Sequence, residues 1–261
     1  GNQNPISEIV TQDLTLHSHE GISLVNLDVD SIDAFIEGAG NLSLGTIGSD
    51  ELNVLRLLTT DGRINLESTR SIVLQRTSTV PETVSGVDAN GAALPPVTIN
   101  KVTAGVVAGR SAARTLFDEA GVPVTDLGDL LADVIINSTG GNISGPAATS
   151  AQDLSSHILV DTDAGGAVEL YAYTGIADLT VHAAELRILE TTFGGITVTD
   201  INDTNPRTQL LLGRVRADAG DIVITTEKAL EVLSVQGETG MTSVTLNANG
   251  GKLFIKGDAG E

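Results

Sequence analysis

Three acidic runs hold the densest candidate chemistry in this chain: Asp28-Val-Asp30-Ser-Ile-Asp33, Asp161-Thr-Asp163 and Asp200-Ile-Asn202-Asp203-Thr-Asn205. Each brings several oxygen ligands to a short stretch, and calcium takes roughly six to eight hard oxygens. Alternating Asp and Asn at a corner can supply part of that set. None of the runs fits the EF-hand loop or the Gly-Gly-x-Gly-x-Asp nonapeptide of calcium-binding toxin repeats. Asp and Asn also favour turns for local reasons, because their side chains hydrogen-bond nearby backbone. Calcium is the cofactor these runs would suit, and solvated turns are the plainer account of them.

Asp200, Asp203 and Arg207 could also form the paired carboxylates and guanidinium that polysaccharide lyases and hydrolases use. Their closeness within one loop that contains Pro206 makes a turn the simpler reading. His17 and His19 stand two apart on a strand and so face the same side. Such a pair could hold a metal, but no third ligand is suggested nearby. No Gly-x-Ser-x-Gly elbow, phosphate-binding loop or dinucleotide fingerprint occurs. The absence of cysteine removes disulfides, thiolate catalysis and zinc-thiolate sites together. Asn41-Leu-Ser43 and Asn142-Ile-Ser144 fit the N-glycosylation pattern. We assign no catalytic or cofactor-binding residue from the sequence.

The elements that would carry these residues announce themselves as a repeat. Short apolar-x-apolar triplets begin at Leu14, Ile22, Ile32, Leu42, Leu52, Ile64 and Ile72, and every second one is about 20 residues from the last. The pattern returns at Val168, Leu179, Leu186, Ile196, Leu210, Ile222, Leu230, Val244 and Leu253. Each triplet lies in an alternating stretch, such as Asp221-Ile-Val-Ile-Thr-Thr, which reads as a half-buried strand. One such strand buries too little apolar surface to offset the entropy of ordering it. Stacked coils solve this by laying each Leu, Ile and Val over the one below. Gly-rich punctuation at Gly38-Ala-Gly40, Gly194-Gly195 and Gly250-Gly251 suits sharp corners. An antiparallel sandwich is the rival all-β reading, but there is no Trp, and Tyr and Phe number only two and four.

The period stops after Ile72-Val-Leu74. A Pro- and Gly-rich loop from Thr79 to Val97 follows, and then a segment of helical character. Ser111 is placed to cap a helix over Ala112 to Ala120 that Gly121 stops. Thr125 is placed to cap a second, with Leu127, Leu130, Leu131 and Val134 on one face. Insertions in repeat proteins emerge from one face, where they bind partners or cover a coil edge.

The chain has 261 residues and a formal net charge of −20. Such a surface repels nucleic acid, anionic membrane and polyanionic glycans, since phosphate binding needs dense Lys and Arg. No apolar run is long enough for a membrane-spanning helix, and no signal-peptide pattern occurs. The chain opens on Gly1 and closes on Gly257-Asp-Ala-Gly-Glu261, from which we expect a segment of a longer protein.

Ala219-Gly-Asp-Ile-Val-Ile-Thr-Thr and Thr242-Ser-Val-Thr-Leu-Asn-Ala-Asn-Gly-Gly-Lys-Leu-Phe-Ile resemble the degenerate repeats of giant secreted bacterial proteins, the haemagglutinin-like adhesins and related cell-surface rods. The resemblance spans roughly 10–76 and 157–256. It implies a right-handed parallel β-helix shaft, secreted to the cell surface, that serves attachment between cells or to surfaces. The Asn-rich signatures of the two-partner secretion module are missing, so no site residue is carried over.

We therefore expect an all-β, right-handed parallel β-helix of about 20 residues per coil, with a partly helical insertion. Residues 1–77 and 157–261 would form the coils and 78–156 the insertion. The function expected is that of a non-catalytic structural and interaction segment of a large extracellular adhesin-like protein. The alternative is a β-helix polysaccharide-degrading enzyme. A cell-surface protein or glycan would be the partner, contacting the stretch from Pro81 to Asp153, with no nucleic acid and no membrane insertion.

Overall fold

The computed structural model describes residues 9–48, 50–86, 91–109, 132–146, 155–160, 166–201, 209–237 and 242–256. These residues form strands and no helix. The strands wind into a β-solenoid of about nine turns, with successive turns about 22 residues apart. Every strand pairing among the described residues is parallel except one hairpin.

One face of the solenoid runs its whole length. It starts with the first residues of β2 (Ile22–Ala39) and continues through β3 (Leu42–Thr46), β5 (Ile64–Ser68), β9 (Val134–Ser138) and β12 (Ala167–Ala172). It ends with β14 (Glu185–Thr191), β16 (Gln209–Ala217), β18 (Ala229–Gly237) and β20 (Leu253–Ile255). A second face stacks the start of β4 (Leu52–Asp61) on β6 (Ile72–Leu74), β10 (Asn142–Ser144), β13 (Gly175–His182), β15 (Ile196–Asp200), β17 (Ile222–Thr226) and β19 (Val244–Ala248). A third face belongs to the N-terminal coils. There β1 (Ile9–Ser18) pairs with the second half of β2, and the stack continues through the second half of β4, the end of β8 (Val97–Ala108), β11 (Ile158–Val160) and the end of β13.

The alternating sequence produces this arrangement because alternate side chains of a strand point to opposite faces. Leu42, Ile64, Val134, Val168, Leu186 and Leu212 form one inward column, and all are 0% exposed. The spacings read from the sequence are the actual pairings: Leu14 lies against Ile32, Ile22 against Leu42, Leu52 against Ile72, and Ile222 against Val244. Long strands pass from one face to the next through a local break. In β2 the register shifts between Leu24 and Leu27, at Asn26 (φ 59°), and in β13 it shifts between Ile176 and Leu179, at Asp178 (φ 55°). Asn and Asp tolerate this left-handed backbone better than other side chains, because their short polar groups can hydrogen-bond locally.

The partly helical insertion is corrected. The helix read over Ala112 to Ala120, and the second helix as far as Leu131, lie outside the described residues. Val134, read as the last apolar position of the second helix, instead opens β9 and pairs with Ile64. The interval 78–156 is not a single insertion either. Within it β9 joins β5, β10 joins β6, and the end of β8 joins β4. A short run such as Val134-Ile-Ile has apolar residues at both helical and strand spacings, and only the waiting edge of β5 decides between them.

What does leave the solenoid within the described part of this interval is a hairpin. β7 (Ser78–Val84) pairs antiparallel with the first part of β8 and is exposed along its length. Pro81 sits in β7, whose one strand partner among the described residues is β8, so its missing N–H costs little. β8 changes partner at Gly105 (φ 88°), where a side chain would strike Thr77. Beyond that point Val106 and Ala108 enter the core beside Leu57 and Thr59.

Candidate functional site

Most of the described residues singled out by type and spacing hold coils together. Asp33 receives Arg56 in a two-pronged pair, Nε to Oδ1 at 2.6 Å and Nη2 to Oδ2 at 3.1 Å. The Arg56 guanidinium also lies 4.3 Å from the centre of the Phe35 ring and donates to the Val102 carbonyl at 3.1 Å. His17 stacks on Phe35, with ring centres 4.1 Å apart, and meets Glu37 at 3.1 Å. His19 follows the end of β1 and lies against Gly38. The two histidines weighed as a possible metal pair are thus divided between an aromatic stack and a turn.

Asp28 and Asp30 surround Arg70 rather than a calcium-sized cage. The Arg70 guanidinium is buried and donates to the Val29 carbonyl. Burial pulls its pKa below the usual value, against the opposing charges of Asp28, Asp30 and Asp50. Asp28 Oδ1 and Arg70 Nη1 both crowd Gly48, where an added Cβ would lie 2.8 Å from each. The Asp161-Thr-Asp163 run lies outside the described residues, as do Asn202, Asp203, Asn205 and Arg207.

Asp200 is overturned as part of a surface site. It is fully buried, because it follows Ile196 and Val198 at the same strand parity and takes the inward position between Val181 and Thr226. Thr226 Oγ1 donates to it at 2.8 Å, and Lys228 Nζ lies 3.2 Å away while also donating to the Ala183 carbonyl. The carboxyl pKa is raised by burial, with Lys228 and Thr226 pulling the other way. The alternation Ile196-Thr-Val198-Thr-Asp200 carried this outcome, but the neighbouring Asn and Asp residues had assigned Asp200 to a turn.

The surface feature that sequence reasoning missed is an aromatic cleft. A cavity of about 300 Å³ opens on the outer side of β9, β12, β14 and β16. Asn137, Tyr171, Glu190 and Arg216 are register partners on these successive strands and form its floor. At the adjoining corner the Phe193 N–H donates to the Tyr173 carbonyl. Their rings meet edge to face, with centres 4.9 Å apart at 71°. Both tyrosines of the chain therefore line the cavity, and Phe193, one of its four phenylalanines, packs on Tyr173 beside it. The clue in the sequence was the coil period itself: Phe193 follows Tyr173 by about one turn, so two isolated aromatics become neighbours.

The polar groups that line the cleft are oriented by one another and by Arg214 and Glu169 beside it. Arg214 Nη2 lies 2.8 Å from Glu190 Oε1, and Arg216 Nε lies 2.7 Å from Asp218 Oδ1. The Tyr171 hydroxyl donates to Glu169 Oε2 at 3.0 Å. Burial first, and then the charge and hydrogen bond of Glu169, push the Tyr171 phenol well above its ordinary pKa. Among the described residues no group of three His, Cys, Asp or Glu side chains could hold a metal ion. The cleft offers flat amphipathic rings beside fixed hydrogen-bonding groups, which is a binding chemistry. No protein-family model, curated protein or solved structure matches this chain significantly.

Proposed function

We propose that this chain is a non-catalytic structural and interaction segment of a large extracellular adhesin-like bacterial surface protein, serving cell–cell or cell–surface attachment. The observation that carries this reading is where the candidate chemistry goes. Asp33, Asp200 and His17 all act between adjacent coils, with Arg56, Lys228 and Phe35 as partners. Such contacts stiffen a rod, and among the described residues they engage these three candidates between coils. The continuous aliphatic columns support the same role, since a solenoid transmits load through repeated neighbour contacts. We take the coils as right-handed, in line with the strong preference of parallel crossover connections.

Two measurements test the proposal together. Beads coated with the purified chain should adhere to bacterial or host-cell surfaces, and chain free in solution should compete. Incubation with neutral and acidic polysaccharides should release no new reducing ends or unsaturated products. Beads that do not adhere would refute the attachment role, and product release would establish the polysaccharide-degrading alternative.

A further inference from the structure

The cleft over β9, β12, β14 and β16 points to a class of ligand. Phe193 is 62% exposed and Tyr173 is 43% exposed, in a chain where aromatic residues make up only 2%. The edge-to-face pair presents ring surfaces to solvent at the rim of a polar cavity. Apolar C–H faces of a sugar ring pack on such rings while its hydroxyls reach the groups around them.

The charges choose among sugars. Glu190 and Asp218 outnumber Arg216 in the cavity lining; Asp218 pairs with Arg216, and Glu190 pairs with Arg214 beside the cavity. An anionic sugar would meet carboxylates and no unengaged guanidinium, whereas a neutral sugar can donate its hydroxyls to those carboxylates. The row Asn137, Tyr171, Glu190 and Arg216 repeats once per coil, at a strand spacing of about 4.8 Å. That spacing is close to the advance per sugar unit in an extended glycan.

We propose that this cleft binds a neutral, extended oligosaccharide. A pyranose ring lies on Phe193 and Tyr173, and its hydroxyls bond to Glu190, Asp218 and Asn137. The proposal supplies the ligand class for the attachment role above and rests on that reading.

The chain contains no tryptophan, and both of its tyrosines lie at the cleft, so intrinsic fluorescence reports on this site alone. The whole chain is titrated with cellohexaose, laminarihexaose and mannohexaose, with hexagalacturonate as the anionic comparison. At least one neutral hexaose should give a saturable change, hexagalacturonate a weaker one or none, and Phe193→Ala should lower the affinity by at least about tenfold. Phe193 is exposed, so this variant should keep the parent circular dichroism. No saturable response to any neutral hexaose, undiminished binding by Phe193→Ala, or tighter binding of hexagalacturonate would each overturn the proposal. Failure of bead adhesion with intact sugar binding would refute only the attachment role. Adhesion that persists with no sugar response would refute only the ligand assigned here.

Discussion

Lys228 meets Asp200 at 3.2 Å across two adjacent coils, and both side chains are sealed inside the solenoid, 1% and 0% exposed. Asp200 lies in an inward column between Val181 and Thr226. Thr226 and the Ala183 carbonyl complete the polar cluster, so the pair is hydrogen-bonded as well as opposite in charge.

Removing one member of a buried pair strands the other charge. Lys228→Met should therefore destabilise the chain by about 3–5 kcal/mol. The double variant Asp200→Leu/Lys228→Met should recover much of that loss, because an apolar pair needs no partner. Equilibrium urea unfolding of the parent, single and double variants would check this. A double variant as unstable as Lys228→Met would show that the cluster does more than satisfy its own charges.

Arg56 joins three elements: the Asp33 carboxylate, the Phe35 ring and the Val102 carbonyl at the base of the hairpin. Arg56→Ala should cost about 1.5–3 kcal/mol, the range for hydrogen bonds to charged groups. Arg56→Lys should restore little of it, since an ammonium cannot reproduce the two-pronged geometry or stack on the ring. Urea midpoints of the two variants that differ widely from each other would contradict this.

A close backbone approach occurs at one corner, where a Cβ on Gly62 would run into the Gly40 carbonyl of the preceding coil. Gly62→Ala should cost about 1–3 kcal/mol through the shift it forces. Gly86→Ala is the control, because the nearest atom to a Cβ there is a Leu94 methyl at 3.7 Å. The two variants should separate clearly in thermal unfolding, with Gly86→Ala close to the parent.

Tyr171 holds its phenol proton above the ordinary value of about 10. The sign of the linkage follows: its contribution to stability is intact below that value and is lost as pH rises toward the folded-state pKa. The phenolate absorbance of the folded chain should show a step above the ordinary tyrosine range, and Tyr171→Phe should remove it. Stability of Tyr171→Phe should also fall less steeply at alkaline pH than that of the parent. An unchanged absorbance titration would exclude the burial and the Glu169 contact as causes.

Much of the coil stacking was written in the spacing of residues. Ile22, Leu42 and Ile64 succeed one another in the same inward column because one coil of chain separates each from the next. Ile196 and Ile222 do the same near the C-terminus, and Val244 follows them in register but is exposed. The strand period of two and the coil period act along the chain itself, so a one-dimensional reading recovers them.

Other features depend on neighbours that are distant in sequence. Val134 is a strand residue because the edge of β5 was open to it, and nothing within its own segment says so. Asp200 is buried because Lys228 and Thr226 arrive from the next coil to satisfy it; without them a carboxylate at that position would have favoured solvent. Tyr171 and Tyr173 line one cleft in space, and Phe193, about one coil further along the sequence, packs on Tyr173 beside it. By itself the sequence determined a stacked, parallel, aliphatic-cored solenoid, because periodic burial is a property of the chain. Only the tertiary structure decided which charges are inside and where the aromatic rings meet, because both depend on what one coil places against the next.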